Sequence, residues 1–372
     1  MKESQIKPYE HSDIKVKLLQ LYLERYVNIL SLSKHVQEVD VYDVFCGEGI
    51  YENEKEGSPL IILKILRELK AKDRIFGKGV QFNTFFNDFD TSKIEKLSSH
   101  VEGSKLHDSE IGKLQYFNED YNLLKPRLMN NSLSKSKKTF IFIDPYGYKE
   151  INLTDISLML ADRNTEILLF LPAHFMYRFE NNAPTCLYDF LTEVFQDDSQ
   201  QRSMSGIEFI HKLRDGFGHK LQGKHYVDSF IISRDKNQFF ALFFFTSHIY
   251  GFEKFLEAKW KIDEEEGRGW SPVPERQIGM FDLVEVQPNT DKFSKELRTF
   301  LKEERTNNEL YQFTVENRHL VTHAVQILKE LQGKGVLSVL SPTDRNPLGK
   351  NTFYIAWEQY KNNDIKSLIK IR

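Results

Sequence analysis

The chain of 372 residues has little cysteine, no long hydrophobic run and almost no net charge. Cys46 and Cys186 alone cannot build a disulfide framework or a thiolate metal cage, so no metal site is predicted and a reducing compartment is expected. The most apolar run, residues 239–246, is far shorter than the roughly 20 residues that cross a bilayer, and the first residues lack the apolar segment of a signal peptide. We therefore expect a cytoplasmic protein without membrane contact.

The balance of charge also limits the classes of partner. A formal net charge of -3 provides no global basic field, so contact with nucleic acid would depend on local patches. Lys135, Lys137 and Lys138 form one such cluster, although a solvated surface is the commoner reason for charge of this kind. Hydrophobic residues make up 40% of the chain, which allows a sizeable core, and the length favours one large domain with a smaller one.

Helical and strand-like patterns alternate through the first two thirds of the chain. A helical pattern over residues 13–33 comes first. Seven apolar runs of strand length follow: 39–45, 81–88, 113–117, 139–144, 166–171, 226–233 and 238–246. The first five are separated by helical segments, and the last two predict an antiparallel hairpin. Repeated β-α units closed by a hairpin predict an α/β fold with the Rossmann-like, doubly wound sheet of seven strands found in methyltransferases.

The composition changes after a segment that contains Pro272, Pro274 and Pro288. Three helical patterns and two short apolar runs follow: 292–304, 306–316, 318–332, Val336–Leu340 and Thr352–Trp357. If the two runs pair as a hairpin, the three helices and their two-stranded wing form a winged helix-turn-helix. We therefore predict a sheet domain over residues 1–288 and a winged-helix domain over residues 289–372.

A glycine loop lies between the first strand and the next helix, with Asp43, Phe45, Gly47 and Gly49 at alternate positions. Small residues let the backbone approach a ligand closely, and a helix start offers free N–H groups. Two glycines alone often mark an ordinary turn, so the strand-turn-helix context is what favours a ligand. We expect S-adenosylmethionine to bind here, with its amino-acid part above Gly47 and Gly49, its ammonium anchored by Asp43, and Phe45 in the same site.

Acidic residues follow the second and third strands. Asp88 comes after the second strand and is expected to accept two hydrogen bonds from ribose hydroxyls. The alternative role, a helix cap, suits Asp90 better than Asp88. Asp120 comes after the third strand and is expected to accept a hydrogen bond from the adenine amino group of the cofactor. A loop acid that binds no ligand is a nearly equal alternative for Asp120.

The turn after the fourth strand contains Asp144, Pro145 and Tyr146. An acid at the carboxyl end of a buried strand faces the ligand crevice of a doubly wound sheet. Asp144 and the Pro145 carbonyl can accept hydrogen bonds from an amine, while Tyr146 or Tyr148 can stack on a planar base. We predict these three residues as catalytic, against the alternative of a proline turn with core tyrosines. For His174, after the fifth strand, we favour a structural histidine whose hydrogen bonds are satisfied within the protein over a substrate contact.

Taken together, these motifs resemble the three-Cys-motif partner protein family, TcmP. The likeness covers nearly the whole chain, and the residues that carry it are Lys15, Leu19 and Tyr22 in the leading helix, the loop from Asp43 to Gly49, the turn from Asp144 to Gly147, residues 244–251, Gly267 with Gly269, and the terminal winged helix. The family name implies a partner that bears a three-cysteine motif and resembles radical S-adenosylmethionine proteins. The cysteines belong to that partner, which agrees with their scarcity here.

The turn at Asp144-Pro145-Tyr146-Gly147 is also similar to that of tRNA guanine-N2 dimethyltransferases. It departs at its third position from the Asp-Pro-Pro-Tyr pattern common in adenine-N6 and cytosine-N4 enzymes. The loop departs from the usual family pattern too, because Glu48 stands where proline is commoner. Its negative charge lies near the expected position of the cofactor's carboxylate and would weaken binding unless it points away.

Two hypotheses of different classes follow. The first is a methyltransferase that uses S-adenosylmethionine on an amino group of a nucleic-acid base and is guided to DNA or RNA by the winged helix. Its candidate recognition helix carries Arg318, His319, His323 and Lys329 rather than a dense basic stripe, and winged helices also dock proteins. The second is a non-catalytic partner with the cofactor-binding fold that serves the three-cysteine protein in defence against mobile elements.

Overall fold

The computed structural model describes residues 10–51, 54–72, 79–129, 136–147, 151–178, 185–195, 205–221, 223, 225–234, 238–271 and 286–372. The chain divides into two compact units. The first comprises Met1–His248 with Arg268–Gln277, and the second comprises Ile249–Gly267 with Ile278–Arg372. The predicted boundary between residues 288 and 289 stays a prediction, since residues 272–285 lie outside the described part of the chain.

The first unit is built on one mixed sheet of eight described strands. These are β1 (Glu38–Asp43), β2 (Gln81–Asn87), β3 (Leu114–Phe117), β4 (Lys137–Ile143), β5 (Thr165–Leu171), β6 (Tyr226–Ser233), β7 (Phe239–Thr246) and β8 (Gly269–Trp270). Their order across the sheet is β3-β2-β1-β4-β5-β7-β6-β8. The predicted α/β sheet of seven strands is confirmed, and the two-residue strand β8 extends it beside β6.

The pairing of the strands follows from their sequences. Strands β1 to β5 pair in parallel, and the hairpin partner β7 lies antiparallel to both β5 and β6. Every residue of β5 is buried, as is typical of a parallel strand covered on both faces. The helices of this unit are α1 (Glu10–Ser31), α2 (Ser58–Ala71), α3 (Thr91–Ser104), α4 (Tyr121–Met129), α5 (Leu153–Met159), α6 (Ala173–Arg178), α7 (Thr185–Val194) and α8 (Gly206–Lys220).

The strand register brings three predicted acids to one edge of the sheet. Asp43, the last residue of β1, is level with Phe86 of β2 and with Phe142 of β4. Asp88 and Asp144 therefore each lie two residues beyond that level. The strand order reverses between β1 and β4, and the crevice at such a switch point is where ligands bind in doubly wound sheets.

A buried polar group links α1 to the sheet. The Tyr22 hydroxyl donates a hydrogen bond to one carboxyl oxygen of Glu166, and the Thr246 hydroxyl donates to the other at 2.7 Å. The Tyr22 ring packs on Phe140 and Phe244, with centroid separations of 5.8 and 4.6 Å. Burial raises the pKa of Glu166, and the hydrogen bonds from Tyr22 and Thr246 only partly oppose that rise.

The second unit has the helices and wing of a winged helix-turn-helix. Its elements are α9 (Ile249–Ile262), α10 (Asp291–Phe300), β9 (Arg305–Thr306), α11 (Asn307–Glu316), α12 (Val321–Gly333), β10 (Leu337–Leu340), α13 (Trp357–Lys361) and β11 (Leu368–Ile371). The three strands are ordered β10-β11-β9. Thr306 begins α11 with a capping box in which its side chain and that of Glu309 exchange hydrogen bonds with each other's backbone.

The predicted wing hairpin is wrong in its second strand. Leu337–Leu340 pairs with Leu368–Ile371 and not with residues 352–357. Asn351 and Tyr354 have φ values of 61° and 56°, which interrupt an extended chain, and α13 begins at Trp357. Buried Phe353 and Ile355 explain why the apolar pattern of this segment suggested a strand.

Two histidines of the predicted recognition helix belong to the core of this unit. His323 packs edge-on to Trp260 at 4.5 Å, and His319 stacks on Phe293 at 4.2 Å. Burial lowers the pKa of His319 to about 3 and that of His323 to about 4. Arg318 precedes α12 and its carbonyl accepts a hydrogen bond from the Trp260 indole at 3.1 Å. Of the four residues predicted for the recognition face, Lys329 is the exposed one on α12 itself.

None of the described helices is long and apolar enough to cross a membrane. Within the same residues, no group of histidine, cysteine and acidic side chains is arranged to hold a metal ion.

We expect Glu166→Gln to change how stability depends on pH. The pKa of Glu166 is higher in the folded protein than in an unfolded chain. The contribution of Glu166 to the free energy of unfolding is therefore fully present below the ordinary pKa of 4.5, and it is lost as pH rises through the pKa of the folded state. The free energy of unfolding of the variant should therefore exceed that of the wild type increasingly from pH 4 to pH 8. Urea denaturation across this range measures the difference. Glu68→Gln, on the exposed face of α2, is the control, and a constant difference for Glu166→Gln would contradict the expectation.

Candidate functional site

The candidate site lies where β1, β2 and β4 end at the switch point of the sheet. The loop after β1 is held by its own backbone and by β2, since the Cys46 N–H donates to the Asn87 carbonyl at 2.9 Å and the Gly57 N–H donates to the Gly49 carbonyl at 2.7 Å. Helix α2 then begins at Ser58, with proline in its first turn, where a missing N–H costs nothing. The predicted strand-turn-helix arrangement is present.

The two loop glycines have different roles in this geometry. Gly47 has φ of 64° and open space where a side chain would project. Gly49 has φ of 80°, and a Cβ there would lie 2.5 Å from Leu97 Cδ1. Both positions need glycine for the left-handed backbone. Gly49 also lets α3 pack against the loop, whereas the room beside Gly47 is available to a ligand.

Asp43 is a fully buried acid whose two carboxyl oxygens have no hydrogen-bond partner among the described residues. Burial raises its pKa from the ordinary 3.8 to about 7, and the neighbouring Asp144 carboxylate adds to the rise. Ser58 and the Phe45 backbone lower this pKa, as does the Lys15 ammonium, although neither Ser58 nor Phe45 reaches hydrogen-bond geometry with the carboxyl oxygens. An unpaired buried carboxyl group is costly, so its retention here points to a ligand that supplies the missing donor.

Asp88 accepts hydrogen bonds from three parts of the site. Its Oδ2 receives the Gly47 N–H at 3.1 Å and the Tyr146 hydroxyl at 2.8 Å, while its Oδ1 receives the Asp90 N–H at 2.9 Å. Asp90, not Asp88, caps α3 by accepting the Ser92 N–H. Asp88 therefore joins the glycine loop to the turn after β4 and leaves helix capping to its neighbour.

Asn87 is a structural residue of this site that the sequence patterns did not identify. Its side-chain amide donates to the carbonyls of Val44 and Glu119, both at 3.1 Å, and its Oδ1 accepts the Glu119 N–H at 3.1 Å. These bonds tie together the ends of β1, β2 and β3. An amide at the end of a strand, directly after the apolar pair Phe85 and Phe86 and before Asp88, is the signal from which the sequence could have predicted it.

Asp120 lies at the edge of the site and is exposed. Its side chain accepts the Asn122 N–H at 2.8 Å, and its carbonyl accepts the Leu124 N–H at 3.2 Å, so it caps the start of α4.

Phe45 packs between the two sides of the site, with its ring centroid 5.2 Å from that of Tyr121 and 6.3 Å from that of Tyr146. The adenine contact predicted for Asp120 and the site position predicted for Phe45 stay predictions.

The turn after β4 presents one acid and one exposed aromatic ring. The Lys15 ammonium, from α1, donates to Oδ2 of Asp144 in an ion pair. Pro145 is buried, while Tyr146 is 65% exposed and carries the Lys93 ammonium 4.4 Å from its ring centroid. Tyr146 is thus not a core residue, in contrast to the alternative considered from the sequence. Tyr148 lies outside the described residues.

Two other residues of interest are accounted for by their contacts. Glu48 forms an ion pair with Lys96 of α3 at 2.8 Å, so its charge is balanced within the protein. His174 is buried, with Nδ1 3.0 Å from the Phe239 carbonyl and its ring 4.9 Å from that of Phe240. These contacts favour a structural role for His174 over a substrate contact.

Comparisons with known proteins give partial likenesses. A family model for a GMT-like winged helix-turn-helix domain matches residues 269–344. No curated protein matches the chain. Among solved structures, the chain is similar to Trm1 from Pyrococcus horikoshii in complex with S-adenosyl-L-methionine, with 12% identity over 69% of this chain and a TM-score of 0.40. The match spans 61% of the Trm1 chain.

Two further structures are similar at the same level of identity but with lower TM-scores. An S-adenosylmethionine-dependent methyltransferase from Clostridium acetobutylicum is 12% identical over 62% of this chain and 91% of its own, with a TM-score of 0.30. The methyltransferase domain of bacterial CtHen1 is 12% identical over 62% of this chain and 99% of its own, also with a TM-score of 0.30. The fold assignment itself follows from the strand order, which is that of a doubly wound methyltransferase sheet.

We expect Asp43→Asn to raise the free energy of unfolding of the ligand-free protein. Because the pKa of Asp43 is raised from 3.8 to about 7, the contribution of this group to stability is full below pH 3.8 and is lost as pH rises through 7. An amide has no charge to bury, so the variant should gain on the order of 2 to 4 kcal/mol over the wild type at pH 8 and little at pH 4. Urea denaturation at both values checks this, and Asp90→Asn, which keeps a good helix cap, is the control.

Proposed function

We propose that this chain binds S-adenosylmethionine at the carboxyl ends of β1, β2 and β4 and transfers its methyl group to an amino group of a nucleic-acid base. The observation that carries the proposal is the buried, unpartnered Asp43 next to the open space at Gly47. A carboxylate in such a place needs a cationic donor, and the ammonium of the cofactor's amino-acid part is one. The open backbone at Gly47 leaves room for that part to lie against the loop.

Other residues of the site suit the remaining parts of the cofactor. Asp88 is a fixed acceptor after β2, where an acid binds ribose hydroxyls in doubly wound sheets. The next residue, Phe89, is 74% exposed and offers a flat apolar surface for the adenine ring, with Asp120 as the acceptor proposed for its amino group. Tyr146 shares Asp88 Oδ2 with the Gly47 N–H, so a ribose hydroxyl would compete with the tyrosine hydroxyl for this atom.

The residues after β4 would hold the acceptor. When bound, the cofactor supplies a methyl group made electrophilic by its sulfonium. Asp144 Oδ1 and the Pro145 carbonyl are the acceptors for the N–H groups of the substrate amine, and the exposed Tyr146 ring stacks on the base. Holding the nitrogen in line in this way is the main catalytic contribution we assign to the protein, and positioning of this kind supplies several powers of ten in rate.

The second unit provides the proposed contact with nucleic acid. Lys329 and Lys334 are exposed at the end of α12, and the loop that carries exposed Lys350 is tied to this helix by a hydrogen bond from the Asn351 N–H to Gln332 Oε1 at 2.8 Å. These three lysines form a small cationic group beside the wing. Cationic side chains that contact phosphates bind DNA or RNA without reading the sequence.

A non-catalytic role remains the second candidate function. Likeness to TcmP proteins suggests a partner with a three-cysteine motif that resembles radical S-adenosylmethionine proteins, in a cytoplasmic setting that agrees with the two cysteines of this chain. The hydrogen bond from the Tyr146 hydroxyl to Asp88 Oδ2 favours this second function, because it uses an acceptor that the cofactor's ribose would need.

Binding of S-adenosylmethionine should depend on pH through Asp43. Because Asp43 is ionised only above its pKa of about 7, affinity measured by calorimetry should rise from pH 6 to pH 8, with proton release below pH 7. Asp43→Asn should bind about 10 to 100 times more weakly at pH 8, the size of a lost charged hydrogen bond, and should lack the pH dependence. Gly47→Val should abolish binding, because valine is strained at φ of 64° and fills the open space. Asp90→Asn should bind as the wild type does, and a wild type that binds no cofactor would refute the proposal.

Methyl transfer should require Asp144. With tritiated cofactor and total tRNA, rRNA and DNA as acceptors, we expect label in a base for the wild type and a loss of about 100-fold or more for Asp144→Ala, which removes the acceptor that aligns the amine. Cofactor affinity should fall much less in this variant. Cofactor binding without transfer to any acceptor would favour the non-catalytic partner.

Nucleic-acid binding should depend on salt and on the cationic group of the second unit. We expect a triple substitution of Lys329, Lys334 and Lys350 to alanine to weaken oligonucleotide binding measured by fluorescence anisotropy. The slope of log affinity against log salt should become shallower by about one for each lost phosphate contact. Lys361→Ala, an exposed lysine in α13, is the control. Equal salt slopes for the triple variant and the wild type would exclude this surface.

A further inference from the structure

We infer that Lys15 of α1 is a positioning residue of the site: its ion pair fixes Asp144 with one oxygen occupied and the other open to a neutral amine. The part that concerns the amine rests on the proposed function, whereas the ion pair is a property of the free protein. The ammonium donates to Asp144 Oδ2, so Oδ1 is the oxygen left to accept a substrate N–H.

The surroundings of Lys15 show that the pair is built into the fold. Lys15 is only 7% exposed, and its ammonium lies 4.6 Å from the centroid of the Phe170 ring. The next turn of α1 buries Leu18 and Leu19 completely, so the helix cannot move away without exposing apolar surface. A buried ammonium is stable only with a counter-charge, and Asp144 with the ring face of Phe170 provides it.

Several ionisable groups face this ammonium from different elements. Asp144 follows β4, Asp43 ends β1, and Tyr51 follows the glycine loop, while Asp13, two residues before Lys15 on α1, acts on Tyr51 and pairs with Lys55. Burial alone would lower the pKa of Lys15, but Asp144, Tyr51 and Asp43 together more than offset it, and the pKa lies above the ordinary value. Lys15 therefore keeps its charge across the neutral range and attracts both Asp144 and Asp43.

The pair also bears on the class of substrate. Because Asp144 is neutralised by Lys15, it gives a cationic amine such as a lysine side chain no unpaired charge to bind. A neutral planar amine needs only the acceptor oxygen, and it avoids placing a second cation beside Lys15. The site is thus suited to an amino group on a nucleic-acid base and not to a protonated alkyl amine.

The decisive experiment uses the free protein and needs no cofactor. Carboxyl carbons of aspartate are labelled with carbon-13, the Asp43 signal is assigned from Asp43→Asn, and its titration is followed by NMR. We expect a midpoint near pH 7 in the wild type, a higher midpoint in Lys15→Met because the ammonium no longer lowers the pKa of Asp43, and recovery in Lys15→Arg, which keeps the charge. Lys17→Met, which removes an exposed lysine of the same helix, should titrate as the wild type does. An unchanged midpoint in folded Lys15→Met would overturn the inference.

A second measurement keeps the inference testable if Lys15→Met does not fold. The Nζ signal of Lys15 in the wild type, followed by nitrogen-15 NMR, should titrate above 10.5 and report slowly exchanging protons. A lysine that titrates well below 10.5, as burial without a counter-charge requires, would show that no such pair forms.

Kinetics then test the role in positioning. With S-adenosylmethionine at saturating concentration, a difference in cofactor affinity between Lys15→Met and the wild type does not affect kcat. We expect kcat on a base amine to fall about 100-fold, the usual cost of a misplaced group. Lys15→Arg should recover part of it, and equal kcat values for Lys15→Met and the wild type would overturn the positioning role. A wild type that binds no cofactor would refute the proposed function, while the Asp43 titration would still decide the ion-pair effect of Lys15.

Discussion

The burial of charge at one edge of the sheet is the constraint on which the site depends. Asp43 has no hydrogen-bond partner among the described residues, and Asp144 is held by the buried Lys15. In a place with little water, each carboxylate raises the free energy of the other, and Lys15 relieves part of that cost. The protein has an acid at a position where we expect an amide to give a more stable fold. Such residues are usual at sites where a ligand completes the charge balance.

The same edge is held rigid by uncharged contacts. Asn87 bonds the ends of three strands together, and Asp88 connects Gly47 with Tyr146. Backbone atoms that are bonded in this way cannot shift easily, so the open space at Gly47 keeps its shape. Tyr146 is the exception, since its ring is largely exposed and is held by its hydroxyl, the Lys93 contact and the edge of Phe45. The side of the site proposed for the acceptor is therefore less constrained than the side proposed for the cofactor.

The exposed positive charge of the second unit lies at other positions than its helix pattern predicted. His323 falls on the same buried side of α12 as Ala324 and Ile327 and packs on Trp260, and His319, which precedes the helix, packs on Trp260 and Phe293. Their low pKa values leave them neutral at physiological pH. The exposed lysines at the end of α12 and in the wing loop are thus the cationic groups of this part of the unit that we propose for contact with a partner.

The sequence by itself determined the alternation of strands and helices, the glycine loop and the acids after β1, β2 and β4, since local periodicity and turn chemistry encode these features. Only the tertiary structure decided which groups pair. Lys15 meets Asp144 from 129 residues away in the chain, and β10 pairs with β11 instead of the nearer apolar segment. Such contacts depend on which faces of distant elements are buried against each other. No local sequence pattern shows whether a buried polar side chain finds a hydrogen-bond partner, as Asn87 does, or has none among the described residues, as Asp43 does.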